Sequence, residues 1–349
     1  MASINLASKF SGKIAERFTK ESFVAGHTSN DFDFAGVKTI SIYTPQTVDL
    51  NDYVRSGMNR FGTPVEMGDT VQELALSQDK SFSLTIDRGN NIDQMNTKGA
   101  AKMLKMQIKE QVVPYMDKYA LRQWAMKAGT VKGITAPDKT TIVGAIFDGA
   151  AALDNLLVPD DKRVLYLPTT YYNLLRQSAE FLAVDSLAEK ALSKGYVGMI
   201  ADMQVIKVPD SYLEGIYFLI TYTGSVLMPN KIKTARILDE VQGIDGNVLE
   251  GRNYFDAFVL SAKAGGVYAA VPTASVTPAP VASIASGEAT ITSVASTTFY
   301  YTVDGSDPRY SKSAQVYSAK VPVAEGETFK CYGQKEGAFP SAVTTASEA

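Results

Sequence analysis

Two runs near the start of the chain alternate apolar and polar residues. Residues 37–45 (VKTISIYTP) set branched and polar side chains in turn, and Leu74, Leu76, Phe82, Leu84 and Ile86 repeat the pattern across 70–86, as half-buried strands do. Between them, 46–68 carries Gly57, Gly62, Pro64 and Gly68, the punctuation of an open loop or hairpin tip. A break at 77–80 predicts a turn or bulge in the second run. The period then changes. Leu104, Ile108, Val112, Tyr115 and Tyr119 recur at steps of three and four, one apolar stripe of a long helix. Asn96 or Thr97 can cap its start, Pro114 predicts a bend in its middle, and Gly129 its end. Some thirty residues at about 1.5 Å each give a rod of roughly 45 Å. A hairpin that large cannot bury itself, and a rod that long exceeds the needs of a compact domain. Together they describe a subunit that reaches out to neighbours.

Beyond Pro137 helical and extended patterns alternate. Residues 140–157 place Ile142, Ile146, Ala150, Leu153 and Leu157 on one helical face, and RVLYLP reads as a short buried strand. Helices are predicted over 169–180 and 185–195, and strands at 203–209, around 216–229, and over 255–271 with an interruption at Gly265 and Gly266. Composition shifts at PTASVTPAPVASIAS, whose Pro, Ala, Ser and Thr content predicts a semi-rigid extended linker. Four short alternating runs follow, EATITSV, TTFYYTVDG, QVYSAKVPV and ETFKCYGQKEG, separated by turns such as DGSDP. That spacing predicts a small all-β sandwich. At the other end, 1–35 is polar and mixed, with Lys9, Lys13, Arg17 and Lys20 near helical spacing, and reads as an extended arm.

The 349 residues leave room for two or three domains, and 45% of them are apolar. No run approaches the ~20 consecutive apolar residues of a membrane helix, and MASINLASKFSGK lacks the layout of a secretory signal. A formal charge of −3 gives no global attraction to nucleic acid. Catalytic chemistry has little to work with. Cys331 and His27 are the single cysteine and the single histidine, so disulfide frameworks, ordinary zinc sites and His-dependent nucleophiles are not expected. Neither a phosphate-cradling Gly-rich loop nor a nucleophile elbow is present. Paired carboxylates stay formally open. The expectation is a protein that is not an enzyme and needs no cofactor or metal.

The order hairpin, long helix, α/β region and final strands resembles the major capsid proteins of tailed bacteriophages, the Hong Kong-type capsid fold. LTIDRGNNIDQM, GYVGMIADMQVIKVP and GRNYFDAFVLSAKAGGVYAA carry the resemblance, which spans 1–271. It implies an α+β chain with an N-terminal arm (1–35), an extended β-hairpin loop (36–92), a spine helix and peripheral domain (93–140 with 252–272) and an axial domain (141–251). A linker (273–283) then leads to the last segment. There FYYTVDGSDPRYS and VYSAKVPVAEGETFKCYG resemble the immunoglobulin-like module of chitobiases, centred on Tyr300, Tyr301, Thr302, Asp304, Gly305, Ser306, Asp307 and Pro308. This implies an outward-facing immunoglobulin-like domain over 284–349.

By resemblance, the expected function is that of a virion shell protein. Copies would form hexamers and pentamers of an icosahedral capsid around double-stranded DNA, assembled in the bacterial host cytoplasm without a membrane. A portal, and scaffold or decoration proteins where the shell uses them, would be its other partners. The alternative is a bacterial surface or glycan-binding protein in which the sandwich does the binding. A nanocompartment of the same fold is disfavoured by the long loop and added sandwich.

Three residue sets are candidates for contact. Lys98, Lys102, Lys105 and Lys109 form one basic stripe on the first half of the long helix, either a solvated face or, by the resemblance, a surface toward packaged DNA that binds phosphate without reading sequence. Glu110 and Asp117 interrupt it. Arg55, Arg60, Glu66 and Asp69 around the loop are either solubilising or set register against a neighbour. No lysine lies between Pro45 and Asp79, so a loop crosslink of the kind some relatives form is not expected there. In the C-terminal motif, Asp304 and Asp307 read as turn formers in preference to calcium ligands. Phe299, Tyr300 and Tyr301 read as partly core, though such aromatics also suit weak glycan stacking. The two-part reading expects a shell to form without 281–349.

Overall fold

A computed structural model describes residues 22–29, 31, 32, 34, 38–48, 50–64, 66–93, 99–178, 198–239, 241–292 and 294–347. Most of the expected arm, the Asn96 and Thr97 caps, Lys98 and the helix expected over 185–195 lie outside them.

Strands β1 (Thr39–Pro45) and β2 (Asp69–Ala75) form the expected antiparallel hairpin, in register from Thr39 opposite Ala75 to Pro45 opposite Asp69. Its base is anchored in a small apolar cluster in which Leu74 and Leu76 pack with Phe34, Phe258 and Leu260. The second extended run does not continue the hairpin to Ile86. The chain breaks after Ala75, where the Ser77 amide donates to the Asp256 carboxylate at 2.9 Å. Strand β3 (Gln78–Asp87) then pairs with a strand far downstream, as described below.

After a short helix, α1 (Arg88–Asp93), the long rod comprises α2 (Ala100–Gln107), a π-turn over Ile108–Val112 and α3 (Val113–Met126). The expected irregularity at Pro114 is thus a π-turn: the Val113 amide reaches back to the Ile108 carbonyl, and Pro114, which has no amide to place, sits in the first turn of α3, where that loss is tolerated. Gly129 follows the rod for a reason other than a left-handed cap. A Cβ there would stand 2.2 Å from the Ala264 carbonyl oxygen, so only glycine permits that backbone approach.

The main core is a six-stranded sheet with helices on both faces, in the order β4 (Thr130–Ile134), β13 (Val267–Pro272), β8 (Phe218–Tyr222), β5 (Arg163–Pro168), β7 (Met203–Val208) and β6 (Met199–Ile200). RVLYLP is buried at every position because it is central and covered twice. Val164 and Tyr166 face α3, joining Ala120, Leu121 and Trp124. Leu165 and Leu167 face α4 (Ile142–Asn155) and α5 (Thr169–Gln177), joining Ile146, Leu153 and Leu175. Before α4, Asp138 accepts from the hydroxyls and amides of Thr140 and Thr141, which pulls its carboxyl down to about 2. Short strands β9 (Val226–Leu227) and β12 (Phe258–Val259) pair beside this core, and the indole of Trp124 donates to the Leu227 carbonyl.

A second sheet has the order β10 (Asn230–Asp239), β11 (Gly246–Phe255), β3. Phe82, Asn253 and Phe255 lie under the rod, while the other face carries the ion pairs Arg252–Asp79 and Arg236–Glu250. Strand β10 was not expected from the sequence.

The C-terminal segment is the expected two-sheet sandwich. One sheet orders β14 (Ala282–Ala285), β15 (Glu288–Ile291) and β18 (Val321–Pro322); the other orders β17 (Gln315–Val316), β16 (Thr297–Thr302), β19 (Thr328–Lys335) and β20 (Thr344–Ser347). Phe299, Phe329, Val321 and Cys331 fill the space between them, and burial pushes the Cys331 thiol up to about 11. The preceding Pro-rich stretch, expected as a semi-rigid extended linker, is held against the module. Thr277 is buried, and its amide and hydroxyl both donate to the Phe339 carbonyl.

Candidate assembly surfaces

The hairpin arms carry the loop 46–68 away from its anchored base. Positive φ at Gly57, Asn59 and Gly62 turns the chain back on itself, the Val54 amide donates to the Arg60 carbonyl, and Tyr53 meets Phe61 edge to face at 5.0 Å. Arg55, Arg60, Glu66 and Asp69 are all exposed. Arg60 turns its Nε onto the Gly57 carbonyl, and Asp69 opens β2 opposite Pro45. The charges singled out from sequence share the loop with something more demanding. Leu50 is fully exposed, Met58 is 94% and Phe61 85% exposed, and Val48, Tyr53, Val54 and Met67 are exposed as well. Large apolar side chains gathered at the end of a projecting hairpin mark a surface built to be covered. The signal is present in VDLNDYVRSGMNRFG, where apolar residues recur up to and between the glycines.

Helix α2 and the π-turn present Lys102, Lys105 and Lys109 outward, so three members of the basic stripe share one exposed face. Asp117 does not interrupt it. That side chain is buried and turned inward, accepting from the Ser22 hydroxyl at 2.6 Å and the Phe23 amide at 2.7 Å. Burial raises its pKa, and the two hydrogen bonds work against the rise. Beside the π-turn, a groove of about 650 Å³ runs between the rod, the segment at Ser22–Thr28 and β10, with Val112, Met116 and Phe82 on its apolar side and Lys233 on its rim. Lys233 was not among the sequence candidates, since β10 itself was not expected.

In the sandwich, strand alternation divides the aromatic run. Phe299 and Tyr301 enter the core, Tyr301 stacking on Phe329 at 5.5 Å. Tyr300 turns to the opposite face and stacks on Tyr332 at 5.3 Å. Asp304 accepts from the Ser306 amide and hydroxyl and from the Ser313 hydroxyl at 2.6 Å; those bonds hold its pKa below the usual value against its partial burial. Gly305 supplies the positive φ of the turn, and Pro308 is buried. Asp307 grips Arg309. The two aspartates therefore shape and fasten a loop. Among the described residues no group of three or more His, Cys, Asp or Glu side chains is arranged to hold a metal ion, and no helix there is long and apolar enough to cross a membrane.

Comparison with known proteins places this architecture. A chain from Mycobacterium phage Che8 superposes with a TM-score of 0.63 at 16% identity, over 77% of this chain and 98% of that one. The capsid structure of the cyanophage P-SCSP1u gives 0.64 at 13% identity, over 76% and 92%. The mature capsid of bacteriophage PhiM1 gives 0.59 at 11% identity, over 76% and 92%. The α+β body has the fold of phage capsid chains. The Fn3 associated family model matches residues 289–347, in keeping with an immunoglobulin-like C-terminal module. No curated protein matches the chain in sequence.

Proposed function

We propose that the chain is the major capsid protein of a tailed bacteriophage. The observation that carries this reading is the apolar loop 46–68, held out on a hairpin by a body with the capsid fold. Among the described residues nothing covers it. A closed shell gives every copy a neighbour, and many modest contacts then add up to a stable particle. In this reading the hairpin within 36–92 is the extended loop, 93–140 with 252–272 the spine and peripheral region, and 141–251 the axial domain around which hexamers and pentamers close. Lys102, Lys105 and Lys109, with Lys98 preceding them, line the interior and meet DNA phosphates. Arg55, Arg60, Glu66 and Asp69 set the register of loop against neighbour. The product is an icosahedral virion shell built in the host cytoplasm on a portal, with its C-terminal module outward. The work is mechanical, not catalytic.

Of the motif on which it would rest, the surface-binding alternative keeps only Tyr300, stacked on Tyr332 outside the core. Tyr301 is used inside the sandwich, and Asp304 and Asp307 are used within their own loop. Negative-stain electron microscopy of the purified chain, alone and with its scaffold if it has one, tests the proposal. Shells, rings or tubes are expected. A chain that stays monomeric in both conditions and binds chitin or cell-wall glycan would overturn it.

A further inference from the structure

The C-terminal module touches three separate parts of the rest of the chain, two of them through the loop from Asp304 to Ser313. The end of a helix leaves backbone carbonyls without intrahelical donors, and the end of α3 finds its donors in the sandwich. Tyr310 donates its hydroxyl to the Lys127 carbonyl at 2.8 Å, and Arg309 donates Nη1 to the carbonyls of Ala128 at 3.2 Å and Gly129 at 2.9 Å. Asp307 aims that guanidinium by a two-point grip, with Nη2 2.7 Å from Oδ2. Burial disfavours the Arg309 charge, yet the bond to Asp307 keeps its pKa above the usual value. The Tyr310 ring and Phe339 both lie in the main core of the body.

The second contact is with the hairpin. Ser311 bridges to Gln72, the Lys312 amide donates to the Val71 carbonyl at 2.9 Å, and the Lys312 ammonium meets Glu73 at 2.8 Å. The sandwich thereby adds a third edge to a two-stranded hairpin that is marginal by itself. Gln72 is fastened to the body as well, through the Val259 carbonyl and the Ser261 amide. The third contact is Phe339, whose amide donates to the Ser275 carbonyl at 2.8 Å.

We propose that the C-terminal module is a brace acting within its own subunit: the DPRYSK loop locks the extended hairpin to the end of the long helix and so fixes the direction in which loop 46–68 is presented. The inference does not depend on the shell reading, because it is measured on one full-length chain.

Hydrogen exchange followed by mass spectrometry on full-length Arg309→Ala/Tyr310→Phe tests it. This variant removes the three carbonyl bonds and keeps the ring. Peptides covering β1 and β2 are expected to exchange about ten times faster than in the unaltered chain, while β19 keeps its protection. Unchanged hairpin exchange with β19 intact overturns the brace. Should β19 also lose protection, an exposed charge reversal decides. Lys312→Glu faces Glu73 with a like charge and is expected to speed hairpin exchange about two- to fivefold, and adding Glu73→Lys is expected to restore it. No acceleration, or acceleration without recovery, overturns the proposal.

Discussion

At the scale of single residues, Asp117 shows how one buried group holds two distant parts of the chain. It sits on the core side of α3 and receives the Ser22 hydroxyl and the Phe23 amide, so one carboxyl on the rod takes two bonds from the start of the described chain. Burial raises its pKa above the ordinary 3.8. A folded-state value above the unfolded one means that protonation favours the fold: the contribution is fully present below 3.8 and is lost as pH rises through the raised value. Asp117→Asn keeps an acceptor oxygen and cannot ionise. Its stability relative to the unaltered chain should therefore improve as pH goes from about 4 to about 7. Asp117→Ala removes the acceptor and should cost about 2 kcal/mol near pH 4, where charge plays least part. Denaturant unfolding of the three proteins at both pH values checks this; a gap between Asn variant and parent that ignores pH would refute the raised pKa.

At the scale of elements, what the sequence made legible is what local periodicity controls. The helix Ile142–Asn155 and the strand Arg163–Pro168 carry their apolar pattern within a few residues, and both read correctly. The fate of Gln78–Asp87 does not lie in its own pattern. Its partner is Gly246–Phe255, and nothing in either strand names the other. Strand β10 was hidden for a different reason: NKIKTARILD is exposed over much of its length and carries few apolar residues to alternate. The loop was legible as a loop, and its charges were found, but its purpose rests on apolar residues whose exposure is a tertiary fact. Its energetics can be separated from those of the body. Leu50, Met58 and Phe61 make their area available to solvent, so replacing all three with Ser should leave thermal unfolding of the isolated subunit within about 0.5 kcal/mol of the parent. The same variant should fail to form particles under conditions where the parent forms them. Normal particles from the triple variant, seen by electron microscopy, would remove the loop from the assembly surface.

At the scale of the whole molecule, the question is whether the body and the C-terminal module are two proteins on a string or one. Composition favours the first answer, because a Pro- and Ala-rich stretch precedes a run of short strands. The packing favours the second. Tyr310 and Phe339 belong to the same apolar cluster as Leu121 and Trp124, and three carbonyls at the end of the rod take their donors from Arg309 and Tyr310. The DGSDP turn was readable locally; its grip on the rod was not, since Arg309 and Tyr310 look like ordinary turn neighbours until the fold brings Lys127 and Gly129 beside them. Trp124 is the single tryptophan of the chain and is fully buried in the body, so its emission reports unfolding of the body. Ending the chain after Pro272 withdraws two aromatic side chains from the core around it. Each contributes about 1.5–3 kcal/mol when fully buried, so truncation should lower the stability of the body by on the order of 3 kcal/mol and move its urea midpoint accordingly. The expectation from sequence, that a shell forms without 281–349, speaks of assembly and leaves this midpoint open. An unmoved midpoint would make the docking a contact without energetic weight; a lowered one would mean that the module, whatever it displays outside, is part of what keeps the subunit folded.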